Sequence, residues 1–190
     1  MNSRIGEAKM KFPKALETKL KELKIKRTPF VLVVNVADQS LALFQRSESI
    51  KTYTVSTSER GTGQLENTFQ TPLGLHRVAK KIGEGAASCA IFKERVDTGE
   101  TCSPGSTEHD GDDLILTRIL RLEGVEEGYN RGKDALGRVV DSFDRYVYIH
   151  GTNHEDQLGM PRSHGCVRMG NADVIDLFKR VPEGTLVWIA

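Results

Sequence analysis

Apolar residues recur along the chain at two different spacings. Near the start, Leu16, Leu20 and Leu23 stand at helical spacing with lysine and glutamate between them, which predicts a short amphipathic helix over residues 13–25. From residue 30 onward the apolar residues gather in short runs rich in Val, Ile, Thr and Tyr, a composition typical of β-strands. Six or seven strands are predicted, with candidates at residues 30–36, 40–44, 50–57, 75–79, 114–122, 146–149 and 186–189.

A second helix is predicted near the end of the chain. Asn171 is the expected N-cap, and the apolar residues of 174–178 face inward in a helix that continues to Arg180. Because the strands follow one another without regular helices between them, the order does not fit βαβ units. The pattern favours a mainly β fold, a largely antiparallel sandwich or barrel with one or two packed helices.

Residues 83–113 interrupt the strand pattern. This stretch has few large apolar residues and much Gly, Ser, Thr and Asp. Irregular segments of that length are uncommon in compact domains and usually carry function. We therefore expect a loop that covers the substrate.

Chain length and net charge exclude several classes of protein. The 190 residues suffice for one well-buried domain and are short for two. Lys and Arg number 27 against 26 Asp and Glu, so the net charge is +1, and no basic surface for nucleic acid or for an anionic membrane is indicated. No apolar run is long enough to span a bilayer.

The N-terminal residues 1–14 are charged throughout and lack the apolar stretch of a secretory signal. The protein is therefore either cytosolic, or the sequence begins after a removed leader. The residues alone leave both possibilities open.

Three cysteines are present, Cys89, Cys102 and Cys166, so at least one thiol has no partner for a disulfide within the chain. Cys89 and Cys102 lie in the same Gly/Ser/Thr-rich stretch. They can bridge each other or remain free, and the pattern does not decide between the two states.

The residue types of a thiol nucleophile site occur together between residues 145 and 169. A β-rich run ends on His150-Gly151, a loop containing Gly and Pro follows, and Ser163-His164-Gly165-Cys166 comes just before the predicted second helix. A catalytic thiol needs a base, backbone N–H donors for the developing oxyanion, and a group that orients the base. This stretch contains candidates for all three.

Each role in such a site has a candidate residue. Cys166 is the candidate nucleophile, and His150 and His164 are both candidate bases. Gly165 allows a tight turn with exposed N–H groups, while the Gly151 carbonyl or the Ser163 hydroxyl can orient an imidazole. A buried, inert cysteine is the alternative, but the polar turn and its flanking arginines disfavour it.

Two further interpretations concern the same stretch. His150, His154, His164 and Cys166 are all possible zinc ligands, although the first two are separated by turn residues rather than placed on one face of a helix. The guanidinium of Arg168 suits a substrate carboxylate, with a structural ion pair as an equal alternative.

These residues resemble the L,D-transpeptidase catalytic domain family, also called the YkuD domain. The signature of that family is a His, a loop, and then Ser/Thr-His-Gly-Cys, which here are His150 and residues 163–166. Further similar segments in the same order are Gln39 with Leu41 and Leu43, residues 55–57, 71–74, 115–124 and 187–189. The resemblance covers residues 30–190, the expected catalytic domain, and leaves residues 1–29 as an N-terminal extension with a short helix.

The resemblance implies a peptidoglycan L,D-transpeptidase that forms 3–3 cross-links, or exchanges the terminal D-amino acid, through a cysteine thioester. It makes Cys166 the nucleophile and His150 the base, and Gly151 supplies the orienting carbonyl. Backbone N–H groups near Gly165, with His164 and Ser163 beside them, would form the oxyanion site. Arg168 and Tyr148 are the expected substrate-binding side chains. No metal or cofactor is implied.

Peptidoglycan stem peptides are the implied partner, and no oligomeric state is implied. Since that substrate lies outside the cytoplasmic membrane, the resemblance favours the cell envelope or periplasm and a leader that has been removed. An L,D-carboxypeptidase acting at the same thiol is the first alternative. A zinc-dependent hydrolase and a peptidoglycan-binding module without catalysis are the others.

Overall fold

The computed structural model describes residues 11–102 and 111–190. Within these residues the chain forms ten β-strands, two α-helices and a short 3-10 helix at Glu155–Gln157. In chain order the main elements are α1 (Lys14–Glu22), β1 (Phe30–Asn35), β2 (Ser40–Gln45), β3 (Glu48–Ser56), β4 (Gly74–Ile82), β5 (Ala90–Lys93), β6 (Val96–Thr101), β7 (Ile115–Gly124), β8 (Tyr148–Gly151), β9 (Val167–Met169), α2 (Asn171–Arg180) and β10 (Leu186–Ile189).

Eight of the strands close into a barrel. Their order is β4-β10-β1-β2-β3-β9-β8-β7, and β7 pairs again with β4 to complete the ring. Most neighbours are antiparallel, but β1 with β10 and β8 with β9 are parallel. The hairpin of β5 and β6 lies outside the ring and is joined to it through β7. The prediction of a mainly β fold with packed helices is confirmed, and of the two architectures it allowed the barrel is present.

The barrel encloses one large apolar core. Alternate residues of all eight ring strands contribute to it, as expected when successive side chains point to opposite faces. Helix α2 adds Val174, Leu177 and Phe178 to the same core. The helix therefore lies against the barrel on its apolar face, as its sequence pattern predicted.

Helix α1 covers part of the outer surface of the barrel. Leu16 is fully buried and Leu20 nearly so, in a cluster with Val31, Phe44 and other outward-facing residues of β1, β2, β4 and β10. Lys19 also forms an ion pair with the buried Glu126 at 3.0 Å. The predicted N-terminal extension thus packs closely on the barrel from residue 12 onward.

Residues 83–113 were predicted to be irregular, and this is wrong for part of the stretch. Strands β5 and β6 form a hairpin there, with Phe92 paired to Asp97 and Lys93 to Val96. All residues of β6 are exposed, so the strand has no apolar face for a pattern to reveal. It is held by backbone pairing with β5. Residues 103–110 of the predicted loop lie outside the described residues.

The start of α2 also differs from the prediction. Asn171 is the first helical residue rather than the cap, and Gly170 precedes it. The Glu155 carboxylate accepts hydrogen bonds from the Asn171 backbone N–H at 2.6 Å and from its Nδ2 at 2.7 Å. An acidic side chain from the preceding loop therefore satisfies the helix N-terminus, where negative charge is favourable. The Asn171 side chain also bonds toward the barrel, since its Oδ1 accepts a hydrogen bond from Thr117 Oγ1.

His76 on β4 gives a prediction for stability. It is fully buried, with Nδ1 3.1 Å from the Gly74 carbonyl and Nε2 2.9 Å from Ser142 Oγ. Burial lowers its pKa to about 4, below the ordinary value near 6.5. Because the folded state resists protonation of His76, the protein loses stability as the pH is lowered. The contribution of this residue to the free energy of unfolding is complete above pH 6.5 and falls by up to about 3 kcal/mol as the pH approaches 4.

Urea unfolding at pH 7 and at pH 4.5 measures this dependence. His76→Gln keeps a polar side chain that does not titrate, so we expect it to lose less stability than the native protein between the two values. Equal losses in both proteins would show that other groups cause the acid sensitivity.

Candidate active site

The parallel pairing of β8 with β9 brings the two predicted catalytic residues together. The register places His150 opposite Arg168 and Ile149 opposite Val167, so Cys166 is level with Tyr148. Ile149 and Val167 point into the barrel core. By alternation, His150 and Cys166 project from the other face of the two neighbouring strands.

The His150 imidazole is neutral, with Nε2 able to accept a proton. Its side chain is buried, and Nδ1 lies 2.7 Å from the Gly151 carbonyl, which accepts the Nδ1 proton and leaves Nε2 as an acceptor. Burial lowers the pKa of the imidazole, and this effect outweighs the nearby Asp113 carboxylate, which acts in the opposite direction. The ring is therefore neutral near pH 7 and able to accept a proton.

The Cys166 thiol is neutral in the resting protein. Burial raises its pKa to about 11, although the Tyr148 backbone N–H, 3.4 Å from Sγ, favours the thiolate. Since the thiol form is not the nucleophile, the site needs a base to remove its proton during attack. The neutral imidazole of His150 on the adjacent strand is suited to that task.

Gly151 is required by the close packing next to His150. A Cβ atom at this position would lie 2.4 Å from Asn171 Oδ1 and 2.8 Å from the Leu116 carbonyl oxygen. The second of these is backbone and has little room to move. The His-Gly pair thus lets β8 approach its neighbours while presenting the carbonyl that orients His150.

Gly151→Ala is expected to destabilise the protein by about 1–3 kcal/mol, the usual range for an overpacked interior. It should also displace the carbonyl that holds His150 Nδ1, and so lower the rate of any reaction that uses this base. Thermal unfolding measures the first effect. Gly184→Ala is a comparison, because no atom lies within 4 Å of its added Cβ, although its positive φ adds some backbone strain. Equal stability of native protein and Gly151→Ala would contradict the packing argument.

The turn before Cys166 is fixed by hydrogen bonds. Ser163 Oγ donates to the Cys166 carbonyl at 2.6 Å and accepts from the Gly165 N–H at 3.2 Å. Thr71 Oγ1 donates to the Gly165 carbonyl at 3.1 Å. Gly165 has a φ of +119°, which side chains rarely adopt. Ser163 Oγ therefore shapes the turn, while the Gly151 carbonyl is the group bonded to His150 Nδ1.

His164 takes a different position from the other candidate base. Half of its side chain is exposed, and its Nδ1 lies 2.7 Å from Asp113 Oδ2. The same carboxylate oxygen lies 2.6 Å from Arg168 Nη2. Burial raises the pKa of Asp113, but the bond to Arg168 and the neighbouring charges more than offset this, so the net pKa is lowered and the carboxylate is charged.

Arg168 and Tyr148 are both buried, although Arg168 also lines a cavity of about 460 Å³, and substrate contact by these side chains stays a prediction. Arg168 is 2% exposed, with its charge paired to Asp113, the alternative that its sequence left open. Tyr148 packs with Ala90 and Phe92 of the hairpin, and its hydroxyl accepts a hydrogen bond from Arg95 at 3.3 Å. Its backbone N–H donates to Cys166 Sγ at 3.4 Å.

A groove leads to the thiol. It has a volume of about 190 Å³ and is lined by Cys166, Gly165 and residues of the 66–70 and 144–147 segments. A larger cavity of about 460 Å³ lies on the other side of His164, with Asp113 and Arg162 among its walls. His164 lines both spaces, so it separates them near the mouth of the site.

Arg145 was not singled out by the sequence, but it supports the wall of this groove. Its guanidinium donates to the carbonyls of Gly63, Gln64 and Gln70, at 3.2, 2.8 and 2.7 Å. Those residues are more than 70 positions away in the chain, and a lone arginine ahead of a β-run carries no signal of such contacts. Its positive charge also favours the thiolate form of Cys166.

The zinc interpretation finds no support in the arrangement of the site. Among residues 11–102 and 111–190, no three His, Cys, Asp or Glu side chains are grouped to hold a metal ion. His154 instead bonds to the Asp112 carbonyl, and His164 to Asp113. In the same part of the chain, no helix combines the length and apolarity of a membrane span.

Comparison with known proteins agrees with this geometry. YqjB of Bacillus subtilis is 39% identical over 73 residues, which are 38% of this chain and 42% of that protein. YbiS of Escherichia coli is 51% identical over 43 residues, 23% of this chain and 14% of that protein. Both are named as L,D-transpeptidases. The matched segments span less than half of either relative.

Solved structures of low sequence identity share the fold. An L,D-transpeptidase from Xylanimonas cellulosilytica aligns over 87% of this chain and 62% of its own, with a TM-score of 0.50 and 16% identity. A mutant of the Enterococcus faecium enzyme aligns over 86% of this chain and 50% of its own, with a TM-score of 0.50 and 15% identity. The sequence model described as the L,D-transpeptidase catalytic domain, YkuD, matches residues 29–189. This match covers most of the chain, which therefore belongs to the L,D-transpeptidase catalytic domain family.

Proposed function

We propose that the protein is a peptidoglycan L,D-transpeptidase that works through a thioester on Cys166. The observation that carries the proposal is the position of His150 on β8 beside Cys166, which directly precedes the neighbouring parallel strand β9. The Gly151 carbonyl holds the imidazole in the tautomer that accepts a proton. The donor is a stem tetrapeptide, cleaved between its third and fourth residues.

In the first half of the reaction, Cys166 attacks the carbonyl carbon of the third residue as His150 Nε2 takes the thiol proton. The carbon–sulfur bond forms, and the carbon–nitrogen bond to the terminal D-alanine breaks. The imidazolium returns its proton to the departing amine. A base is needed in this step because the thiol pKa is about 11.

The oxyanion formed in this step requires backbone donors. The turn at residues 163–166 supports such a role, because Ser163 and Thr71 fix its carbonyls from behind. The Gly165 N–H is already shared with Ser163 Oγ at 3.2 Å. The Cys166 N–H is therefore the principal donor in this proposal, and the charge of Arg145 adds to the favourable field.

In the second half, an amine attacks the thioester carbonyl carbon and gives a proton to His150. The carbon–nitrogen bond forms, the carbon–sulfur bond breaks, and the imidazolium returns its proton to the Cys166 thiolate. An amine from a neighbouring stem peptide gives a 3–3 cross-link, and a free D-amino acid gives exchange of the terminal residue. The groove at Cys166 can take one of the two substrates, and the larger cavity beyond His164 offers space for part of the other. The substrate places the proposed site of action in the cell envelope.

A disaccharide-tetrapeptide donor, with and without an amine acceptor, tests the proposal by mass spectrometry of the products. Cross-linked dimer or exchanged stem, absent with Cys166→Ala, is the expected result. Tripeptide as the sole product would assign the protein as an L,D-carboxypeptidase instead. Absence of D-alanine release by the native protein would overturn the substrate assignment.

A further inference from the structure

Cys89 and Cys102 occupy facing positions across the base of the β5–β6 hairpin. Ala90 pairs with Thr101 in the antiparallel register, so the next pair outward is Cys89 with Cys102. A backbone hydrogen bond of 2.9 Å from the Cys102 N–H to the Cys89 carbonyl confirms that the two residues are opposite each other. They are 13 positions apart in a stretch where the sequence alone left their pairing open.

The geometry of this pair suits a disulfide bond. Facing residues of an antiparallel ladder have Cα atoms about 4.5–5.5 Å apart, within the range of about 4.4–6.8 Å found in disulfides. Cys89 has a φ of +62° and so ends the regular ladder, and both cysteines pack in one apolar cluster with Ile91 and Leu116. Cys89 is half-buried and so accessible to a reagent, while Cys102 is buried.

The hairpin keeps this pair apart from the catalytic thiol. Ala90 and Phe92, which alternate with the cysteine face, pack in a separate cluster that Cys166 contacts. Cys166 is therefore on the opposite side of β5 from Cys89 and Cys102. Oxidation can join the facing pair and leave the nucleophile as the one remaining thiol.

We propose that Cys89 and Cys102 are a disulfide site that braces the hairpin beside the active site. A disulfide oxidant, such as oxidised glutathione or a thiol oxidoreductase in its disulfide form, accepts the two electrons. The Cys89 and Cys102 thiols each lose a proton as the S–S bond forms, and the oxidant is reduced to two thiols. This pairing does not depend on the proposed transpeptidase reaction.

The disulfide would stabilise the β5–β6 hairpin, which has few pairings with the rest of the outer surface. Strand β6 is exposed along its length, and β5 meets the barrel through two registered pairs with β7. The Cys89 N–H also donates to Thr117 Oγ1 at 2.9 Å, and Thr117 bonds in turn to Asn171. Asn171 Nδ2 donates to the Thr152 carbonyl, two residues after His150. The disulfide thus secures a chain of hydrogen bonds that ends behind the catalytic base.

Peptide mapping after oxidation tests the site. Trypsin separates the three cysteines onto the peptides 82–93, 96–118 and 163–168. After treatment with oxidised glutathione and alkylation without reductant, we expect 82–93 joined to 96–118, with Cys166 alkylated. Complete alkylation of all three cysteines, or a link that includes 163–168, would overturn the proposal.

Thermal unfolding gives a second readout. A disulfide that closes a loop of this size is expected to raise the Tm of the oxidised protein by about 5–10 °C, and reductant should reverse the shift. Cys102→Ala should show no response to oxidant or reductant, while Cys166→Ser should keep the full response. Oxidised native protein that contains the 82–93 to 96–118 link but has an unchanged Tm would refute the bracing role.

Discussion

Replacing Cys166 with serine is expected to lower the rate of D-alanine release from a tetrapeptide donor by at least about 10⁴-fold. A hydroxyl is a much weaker nucleophile than a thiol near neutral pH, and the Nδ1 of His150 bonds to the Gly151 carbonyl rather than to a carboxylate that would make the imidazole a stronger base. The substitution changes one atom, so the fold should be retained. Steady-state release of D-alanine, followed with and without an acceptor amine, measures the loss.

Cys89→Ser is the matched control for that variant. Cys89 lies in a different cluster and does not contact the proposed reaction centre, so most of the activity should remain under reducing conditions. Mass spectrometry of the native protein mixed with donor should also show an adduct at peptide 163–168 that Cys166→Ser does not form. Unchanged activity in Cys166→Ser would remove this thiol from the mechanism.

Replacing His150 with glutamine is expected to lower the same rate by about 10²–10⁴-fold, the usual contribution of a general base. The defect should depend on pH in a defined direction. Because the Cys166 pKa is about 11, thiolate is scarce near pH 7 and its fraction grows roughly tenfold with each pH unit up to that value. The residual rate of His150→Gln should therefore rise with pH between about 8 and 10.

The native protein should show a weaker rise over the same interval, since His150 removes the proton without prior ionisation. Circular dichroism across the pH range separates catalysis from unfolding, and His154→Gln, a substitution in the loop after β8, controls for loss of any imidazole. A pH profile of His150→Gln parallel to that of the native protein would show that this histidine does not serve as the base.

The strands that the sequence predicted are those with an apolar face. Strands β1, β2, β3 and β7 have buried residues in runs or at alternate positions, and their limits were predicted to within a few residues. Strand β6 is exposed throughout, and β9 has three residues directly after the Ser-His-Gly-Cys segment, so neither had a pattern to detect. Closure of the ring depends on pairing between β4 and β7, which no local pattern encodes.

The residues of the site also fall into two groups, those that the sequence located and those that it did not. His150, Gly151 and Cys166 could be located because chemically informative residues lie within 17 positions of one another. Asp113 and Arg145 could not, since their partners are 51 to 82 positions distant and become neighbours when the barrel closes. The residue type of Arg168 did not decide its role. A guanidinium can form a buried ion pair, as Arg168 does with Asp113, or bind a substrate carboxylate.

The parallel β8–β9 pair has a consequence for how such proteins diversify. His150 and Cys166 are placed by strand register and by core side chains on either side of them, not by the segment of residues 152–162 that connects the strands. Insertions or deletions in that segment, away from Glu155 and Asn153, should leave the reacting atoms in place while changing the walls of the larger cavity. Substrate preference can then be altered, by natural variation or by engineering, separately from the chemistry.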